Sequence, residues 1–249
     1  MKQVPLHTAV SITTVGASAF SVGAGNVKPI SKLSLAQSQL DVLKSVAILV
    51  ASEELLRASG PLANALFTQE LASAVAVETD REFLAQITAG ITPITSSGNT
   101  AVAILTDINA ALSQLGLGAQ SQVFIVVPPD VARFWCTQLN TGGQFPNLTI
   151  KGGNVFGCTV VPTDGLVNQM VMFDASQIAA NGGRLELDSS KYASVQLDTT
   201  PDSPPATATP IVSFWQMNLT GLKATRYWGA ERLGSRAVAV INAIANSPQ

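Results

Sequence analysis

The chain has 249 residues, of which 47% are hydrophobic and only 12% charged, with a formal charge of −2 and two cysteines. That length supports a sizeable core in one or two connected domains. The near-neutral balance excludes a dedicated nucleic-acid binder with a strongly basic face, and the cysteine count excludes a disulfide scaffold. The charged share is about half the usual one, which fits two surfaces: one largely covered by partners, or that of a monomer rich in Ser, Thr, Asn and Gln. The 14 basic residues are scattered. The longest apolar run, Val46 to Ala51, is strand-sized and far short of a membrane span. Met1-Lys2-Gln3-Val4-Pro5 opens no signal-peptide apolar region. Cys136 and Cys158 form no Cys-x-x-Cys and are predicted to be reduced, buried thiols.

Residues 1–40 alternate small polar and apolar types (Ala9, Ser11, Thr13 against Val10, Ile12, Thr14), with Gly23, Gly25 and Pro29 before a second alternation through Ile30, Leu33 and Leu35. This predicts a long β-hairpin with a glycine-bearing tip, too poor in large apolar residues to bury itself. Leu43 to Ala51 is predicted as the first core strand. Ser52 to Leu56 reads as a short helical turn with acidic residues at its start. Ser59-Gly60-Pro61 is a helix-entry signal with proline at the first helical position, opening a helix to about Gln86. Leu66 and Leu71 of that helix lie about 140° apart, and Phe67, Val75, Val77, Leu84 and Ile87 widen the apolar arc, so the helix needs cover on two faces.

Residues 91–100 are predicted as loop, and Ala101 to Leu115 as a second helix closed by Gly116. Gln122 to Val127 is a β-branched strand stopped by Pro128-Pro129, and Asp130 to Leu139 a third helix. Strands at Cys158 to Val161 and Gln169 to Phe173 follow a glycine-rich connection. Helix and strand thus alternate through a layered α/β domain. From Arg184 the pattern turns to β, in Leu185 and Leu187, then Ala193, Val195 and Leu197. Ile211 to Leu219 is read as an alternating strand continuing through Leu222, Ala224, Arg226 and Trp228. An apolar strand at Ala237 to Ile244 is expected to return to the α/β layer.

Sites for chemistry are scarce. His7 is the only histidine, which removes Ser–His–Asp, Cys–His and histidine-ligated metal centres together, since each needs a rigidly placed imidazole. Gly23-Ala24-Gly25-Asn26 lacks the Lys-Ser/Thr pair and following helix of a phosphate loop, and Gly152 to Gly157 precedes a strand where a dinucleotide loop precedes a helix. Both are read as turns. Glu53-Glu54 and Asp80/Glu82 are sequence neighbours that point to different helix faces, so neither is an acid/base couple. The Asn-Leu-Thr triplets at 147–149 and 218–220 lack an export signal and are read as chance matches to a glycosylation acceptor. No catalytic, cofactor-binding or metal-ligating residue is assigned, and no cofactor is expected.

The order of features carries a resemblance. The hairpin runs into Lys28-Pro29-Ile30-Ser31-Lys32-Leu33, followed by the strand Lys44 to Val50, then Ser52-Glu53-Glu54-Leu55-Leu56-Arg57, with Glu78-Thr79-Asp80-Arg81-Glu82-Phe83-Leu84 closing the long helix. Asp174 to Ile178, Ser190 to Thr199, Val212 to Tyr227 and Ala237 to Ile241 complete the series. The chain resembles, over nearly its whole length, the major capsid proteins of tailed phages with the HK97 fold.

The resemblance implies an α+β fold in three parts. Residues 1–40 would be the N-terminal segment and extended hairpin (E-loop), which lies over a neighbouring subunit. Residues 41–90 and 184–233 would form the P domain, with its long spine helix and β-sheet, and 91–183 and 234–249 the α/β A domain. It implies a structural role: pentamers and hexamers of an icosahedral shell around double-stranded DNA, held by weak non-specific contacts. A scaffold or a maturation protease is a further implied partner, no membrane is involved, and the protein would be found in the virion and, during assembly, the host cytoplasm. Subunit-facing side chains are expected at Phe20, Lys28, Lys32, Glu78, Arg81, Arg226 and Arg232. Some relatives cross-link a hairpin lysine to an asparagine of a neighbouring P domain with help from a carboxylate. Lys28, Lys32, Asn218 and Glu231 are of the right types, without a defined motif. Members usually carry an N-terminal arm, whereas here Met1 stands almost at the hairpin, so a truncated, processed or shortened form is expected. An encapsulin-like compartment shell, an α/β enzyme using carboxylates and a virion tail or adaptor component are the alternatives.

Overall fold

The computed structural model describes residues 1–6, 9–15, 21, 34–139, 145–205 and 209–244. In chain order, β1 (Lys2–Gln3) precedes β2 (Ala9–Val15), β3 (Ser34–Gln39), β4 (Leu43–Ser52) and the long helix α1 (Glu53–Thr88). Then come β5 (Ile94–Thr95), α2 (Ala101–Gln114), β6 (Val123–Val127) and α3 (Pro129–Phe134), which continues as a π-turn at Trp135–Leu139. β7 (Leu148–Thr149), β8 (Gly152–Val155), β9 (Cys158–Pro162), β10 (Gln169–Asp174) and β11 (Ile178–Asn181) follow. The last group is β12 (Leu185–Ser190), β13 (Ser194–Val195), β14 (Val212–Ser213), the one-turn helix α4 (Phe214–Met217), β15 (Leu219–Arg232) and β16 (Val238–Asn242). The chain packs as two units. Unit 1 is Met1–Val42, Asp80–Gly182 and Trp228–Gln249; unit 2 is Leu43–Thr79 and Gly183–Tyr227.

Unit 1 is built on a seven-stranded sheet ordered β5-β16-β10-β6-β9-β8-β7. Its central strands are near-continuous apolar runs, the pattern of strands covered on both faces. β10 lies antiparallel to both β6 and β16, and β6 lies parallel to β9. The C-terminal strand therefore returns to this sheet, with Met170 opposite Ile241 and Val171 opposite Val240. α2, α3 and the π-turn bring Ile104, Ile108, Ala111, Val131, Phe134 and Trp135 onto Ile125, Met170, Met172 and Ile241. Each large apolar side chain fully buried here contributes about 1.5–3 kcal/mol. The Thr100 hydroxyl accepts the Ala103 N–H at 3.2 Å and starts α2.

Two buried carboxylates tie loops to this core. Asp107 accepts from the Ser96 hydroxyl at 2.7 Å and from the Ser97 N–H at 2.9 Å. Asp174 accepts from the Ser121 hydroxyl at 2.6 Å and from the Gln122 and Ser176 N–H groups at 2.9 Å each. Burial alone would push the Asp174 carboxyl up, but these hydrogen bonds to its charged form outweigh that and hold it below the usual carboxylate range. A smaller ladder in unit 1 pairs β1 with β11 in parallel and β11 with the last residues of β15 antiparallel. β2 and β3 pair as the predicted hairpin, from Ala9 opposite Gln39 to Val15 opposite Ser34. Its base is anchored by Val10 and Leu40 packed with Ala179; its predicted glycine-bearing tip lies outside the described residues.

Unit 2 is thinner. β15 is flanked by β12, in register from Leu185 opposite Arg226 to Ser190 opposite Gly221, and by β4. α1 lays Leu71 and Val75 on Ala224, with Ala47, Leu49 and Leu222 at the margin. β13 and β14 form a separate two-stranded ladder.

Four local expectations are corrected. Helix entry is not at Ser59-Gly60-Pro61: α1 starts at Glu53, where the Ser52 hydroxyl accepts the Leu55 N–H at 3.3 Å and Glu53 and Glu54 occupy the first turn. The helix runs on through Pro61, forgoing the bond that residue cannot donate to the Arg57 carbonyl. The strand at Leu43 to Ala51 is not a core strand, because Val46 and Ile48 are exposed while Ser45 and Ala51 face inward. Ile211 to Leu219 is not one alternating strand. It breaks into the α4 turn, where Phe214 is buried over Gly221; a Cβ at Gly221 would lie 2.5 Å from Phe214 Cε2. Finally, Gly116 does not close α2 by a left-handed turn. Leu115 is extended, and the Gly116 N–H bonds the Arg236 carbonyl at 2.9 Å.

Candidate assembly surface

A surface meant for water keeps its apolar side chains scattered. Of the twenty large apolar side chains exposed among the described residues, thirteen lie in unit 2, which holds about a third of the chain. Nine of these thirteen fall into three groups. On α1, Leu55, Leu66 and Val77 are exposed at eleven-residue intervals, which is three turns plus about 20° and so a nearly straight row. This row lies on the side of the helix away from Leu71 and Val75, and between Ala58 and Val77 the only charge is Glu70. Val46 and Ile48 form the second group on β4, and Tyr192, Ile211, Trp215 and Met217 the third, around the β13–β14 ladder.

The third group stands on a fixed mount. Asn218 adopts the left-handed conformation and closes α4, donating its N–H to the Phe214 carbonyl. Its own carbonyl accepts the Glu53 N–H at 2.9 Å, and its side-chain amide donates to Glu54 Oε1 at 3.2 Å. Glu53 binds two cations, Lys191 Nζ at 2.7 Å and Arg57 Nη2 at 3.0 Å. The Lys191 ammonium, with Arg57 assisting, holds the Glu53 carboxyl below the usual carboxylate range.

Four open clefts dent the two units, and each is lined by a single carboxylate: Glu231, Glu53, Asp80 or Asp188. The roomiest of the four, about 800 Å³ in unit 1, is lined by Arg232 and Arg236. Both guanidinium groups are engaged with helix C-termini. Arg232 donates to the Ala89 carbonyl at 2.7 Å, and Arg236 to the Gln114 and Ser113 carbonyls at 3.0 and 2.9 Å. They neutralise the negative ends of α1 and α2. Among the described residues there is no cluster of metal-ligating side chains, and no helix is long and apolar enough to cross a membrane. The arrangement offers apolar surface to be covered and no converging acid/base pair in these clefts.

No family model matches the chain. A curated relative, the capsid polyprotein of Pseudomonas phage PAJU2, is 30% identical over 266 residues that cover 98% of this chain. The chain spans 40% of that relative's length. Among solved structures, a chain from Gordonia phage Cozz superposes with a TM-score of 0.68 at 14% identity, over 98% of this chain and 84% of that one. One from Mycobacterium phage Adephagia gives 0.68 at 11%, over 99% and 88%. The capsid of a native GTA particle gives 0.60 at 11%, over 98% and 87%. The chain has the HK97-like capsid fold.

On this capsid fold the side chains expected to face a neighbour are spread over both units. Phe20, Lys28 and Lys32 lie outside the described residues. Glu78 is half-buried on α1 in unit 2. Arg81 pairs with Glu82 at 2.7 Å, and its backbone packs closely on Gly165. Arg226 is half-buried on β15 opposite Leu185, and Arg232 holds the end of α1 as described. Asn218 has Glu54 as its bonded carboxylate, while Glu231 lines the unit 1 cleft. The aromatic pair Tyr192 and Trp215 was not singled out from the sequence. Its signal was there: Ile211, Trp215 and Met217 alternate with Val212 and Phe214, and a thin unit cannot bury both sets.

Proposed function

We propose that the chain is the structural subunit of a phage head, assembling with copies of itself into five- and six-membered rings of an icosahedral shell around double-stranded DNA. The observation that carries this reading is the 30% identity to a phage capsid polyprotein across 98% of the chain. The phage structures superposing over nearly all of it support the reading, as does the concentration of uncovered apolar side chains in unit 2. The return of β16 to the sheet of unit 1 speaks against a tail or adaptor component. Single carboxylates in the four clefts speak against a carboxylate enzyme, which needs two groups of divergent pKa in one site.

In this reading unit 2, with the ends of α1 and β15, is the P domain; residues 91–183 with 234–249 are the A domain; and the β2–β3 hairpin is the E-loop reaching a neighbour. DNA contact is weak and sequence-independent in this reading, in keeping with a net charge of −2. A scaffold or a maturation protease is a further partner in this reading, and the subunit resides in the virion. Light scattering of the purified chain over a range of concentrations, with electron microscopy of everything larger than a monomer, tests the proposal. Rings or closed shells are expected. A strictly monomeric species up to the highest concentrations would overturn it.

A further inference from the structure

Trp215 and Tyr192 are the most exposed aromatic residues of the described chain, at 74% and 82% of their full accessibility. Three observations concern what they are for. The first is placement. Val195 pairs with Val212 and Ser194 with Ser213, and the Phe214 N–H bonds the Ala193 carbonyl at 3.0 Å. Tyr192 and Trp215 each lie two residues beyond the Ser194–Ser213 pair, at one end of the ladder, and Ile211 lies one residue beyond the Val195–Val212 pair at the other. The second is rigidity. Trp215 and Met217 project from a turn pinned by buried Phe214 on one side and by the Asn218–Glu53 bond on the other, so little side-chain and loop entropy remains to be lost when the face is covered.

The third is area and charge. At about 150–250 Å² per aromatic side chain the two rings present roughly 300 Å², and with Met217 and Ile211 the exposed apolar area reaches roughly 500 Å², against about 800 Å² per partner in a stable interface. From Tyr192 to Leu222 the only charges are Asp198 and Asp202. Asp198 accepts from the Thr200 N–H at 3.0 Å, and Asp202 from the Thr209 hydroxyl at 2.7 Å. The face therefore supplies most of one side of an interface, with both its carboxylates already bonded within its own loop.

We propose that the Tyr192–Trp215–Met217 face of unit 2 is a contact between copies of this chain, with Trp215 as its anchor. This rests on the shell reading, which supplies the second copy. Rigid Trp and Tyr side chains are the types that carry most of an interface's energy, by filling a partner's pocket without much entropy to lose.

The chain's own tryptophans make the test clean. Trp135 and Trp228 are 0% and 3% exposed, so any change in solvent access seen by fluorescence on assembly reports on Trp215. Acrylamide quenching is measured on dilute chain and on assembled particles. Assembly is expected to shift the emission to the blue and to remove most of the quenchable fraction, and Trp215→Phe to abolish the change. Trp215→Ser is expected to raise the concentration needed for assembly at least tenfold, with an unchanged circular dichroism spectrum, since the side chain lies outside the core. Particles whose Trp215 stays as quenchable as in the monomer, or a Trp215→Ser chain assembling like the parent, would overturn the anchor while leaving the shell reading intact. Failure of the parent chain to assemble at all would overturn both.

Discussion

Unit 1 and unit 2 are folded by different means. In unit 1 one cluster joins α2, α3 and the central strands, and residues such as Trp135, Ile125, Val127 and Met172 lose all contact with solvent. In unit 2 the corresponding cluster is Leu71, Val75 and Ala224, while all six residues of β12 are exposed. A sheet of three strands with a helix on one face is near the lower limit of independent stability. The difference teaches that apolar content alone does not make a core. Both units are rich in Leu, Val and Ala, but unit 2 turns many of these outward.

The sharpest way to break this comparison is to cut the two cores and compare the losses. Trp135→Ala is expected to cost about 3–5 kcal/mol, as removal of a large buried ring does, and Leu71→Ala only about 2 kcal/mol, because the thinner layer of unit 2 can collapse onto the gap. Chemical denaturation followed by circular dichroism measures both, and equal losses would mean that the cores are of similar quality.

A smaller effect concerns the buried Asp174, whose pKa in the folded chain lies below its ordinary value. The stability it contributes is complete at neutral pH and is lost as the pH falls below about 4 and through its lowered folded-state value. Asp174→Asn should cost about 1–3 kcal/mol at neutral pH, by replacing Oδ2, which accepts from the Ser121 hydroxyl and the Gln177 side-chain amide, with an amide nitrogen that cannot accept, and should flatten the acid limb of the stability curve. An unchanged acid limb in the variant would show that other carboxylates govern acid unfolding.

The smallest effect belongs to unit 2. Lys191→Ala removes one of the two cations on Glu53, at a solvated site where a salt bridge contributes little to stability, so only a small loss is expected. The loss should shrink further in 1 M salt, where the Debye length falls to about 3 Å. A larger, salt-independent loss would mean that the Glu53–Lys191 pair is part of the packing of unit 2.

What could be read from residues alone follows from how uniquely they pattern. β6, β10 and β16 are short apolar runs bounded by turn residues, and they fold as the strands expected of them. The helix start at Ala101 and the hairpin read from the alternations through Ala9 to Thr14 and Ile30 to Leu35 were equally direct, and the order of such segments was enough for the capsid resemblance. Three decisions were left to tertiary structure. Ser52 and Ser59 both offer a helix start, and the pairing of Asn218 with the Glu53 N–H and the Glu54 carboxylate accompanies the earlier one, with Pro61 tolerated inside the helix. Val46 and Ile48 compete with Ala47 and Leu49 for the inner face of β4, and the helix at Leu71 and Val75 takes the second pair. Between Ile211 and Asn218 both faces of the segment are apolar, so periodicity cannot choose. The choice falls to the space over Gly221, which admits Phe214 and leaves Trp215 outside. Local pattern determines structure where one burial solution exists; where two are equally apolar, only a non-local partner can decide, and its position is not written in the segment itself.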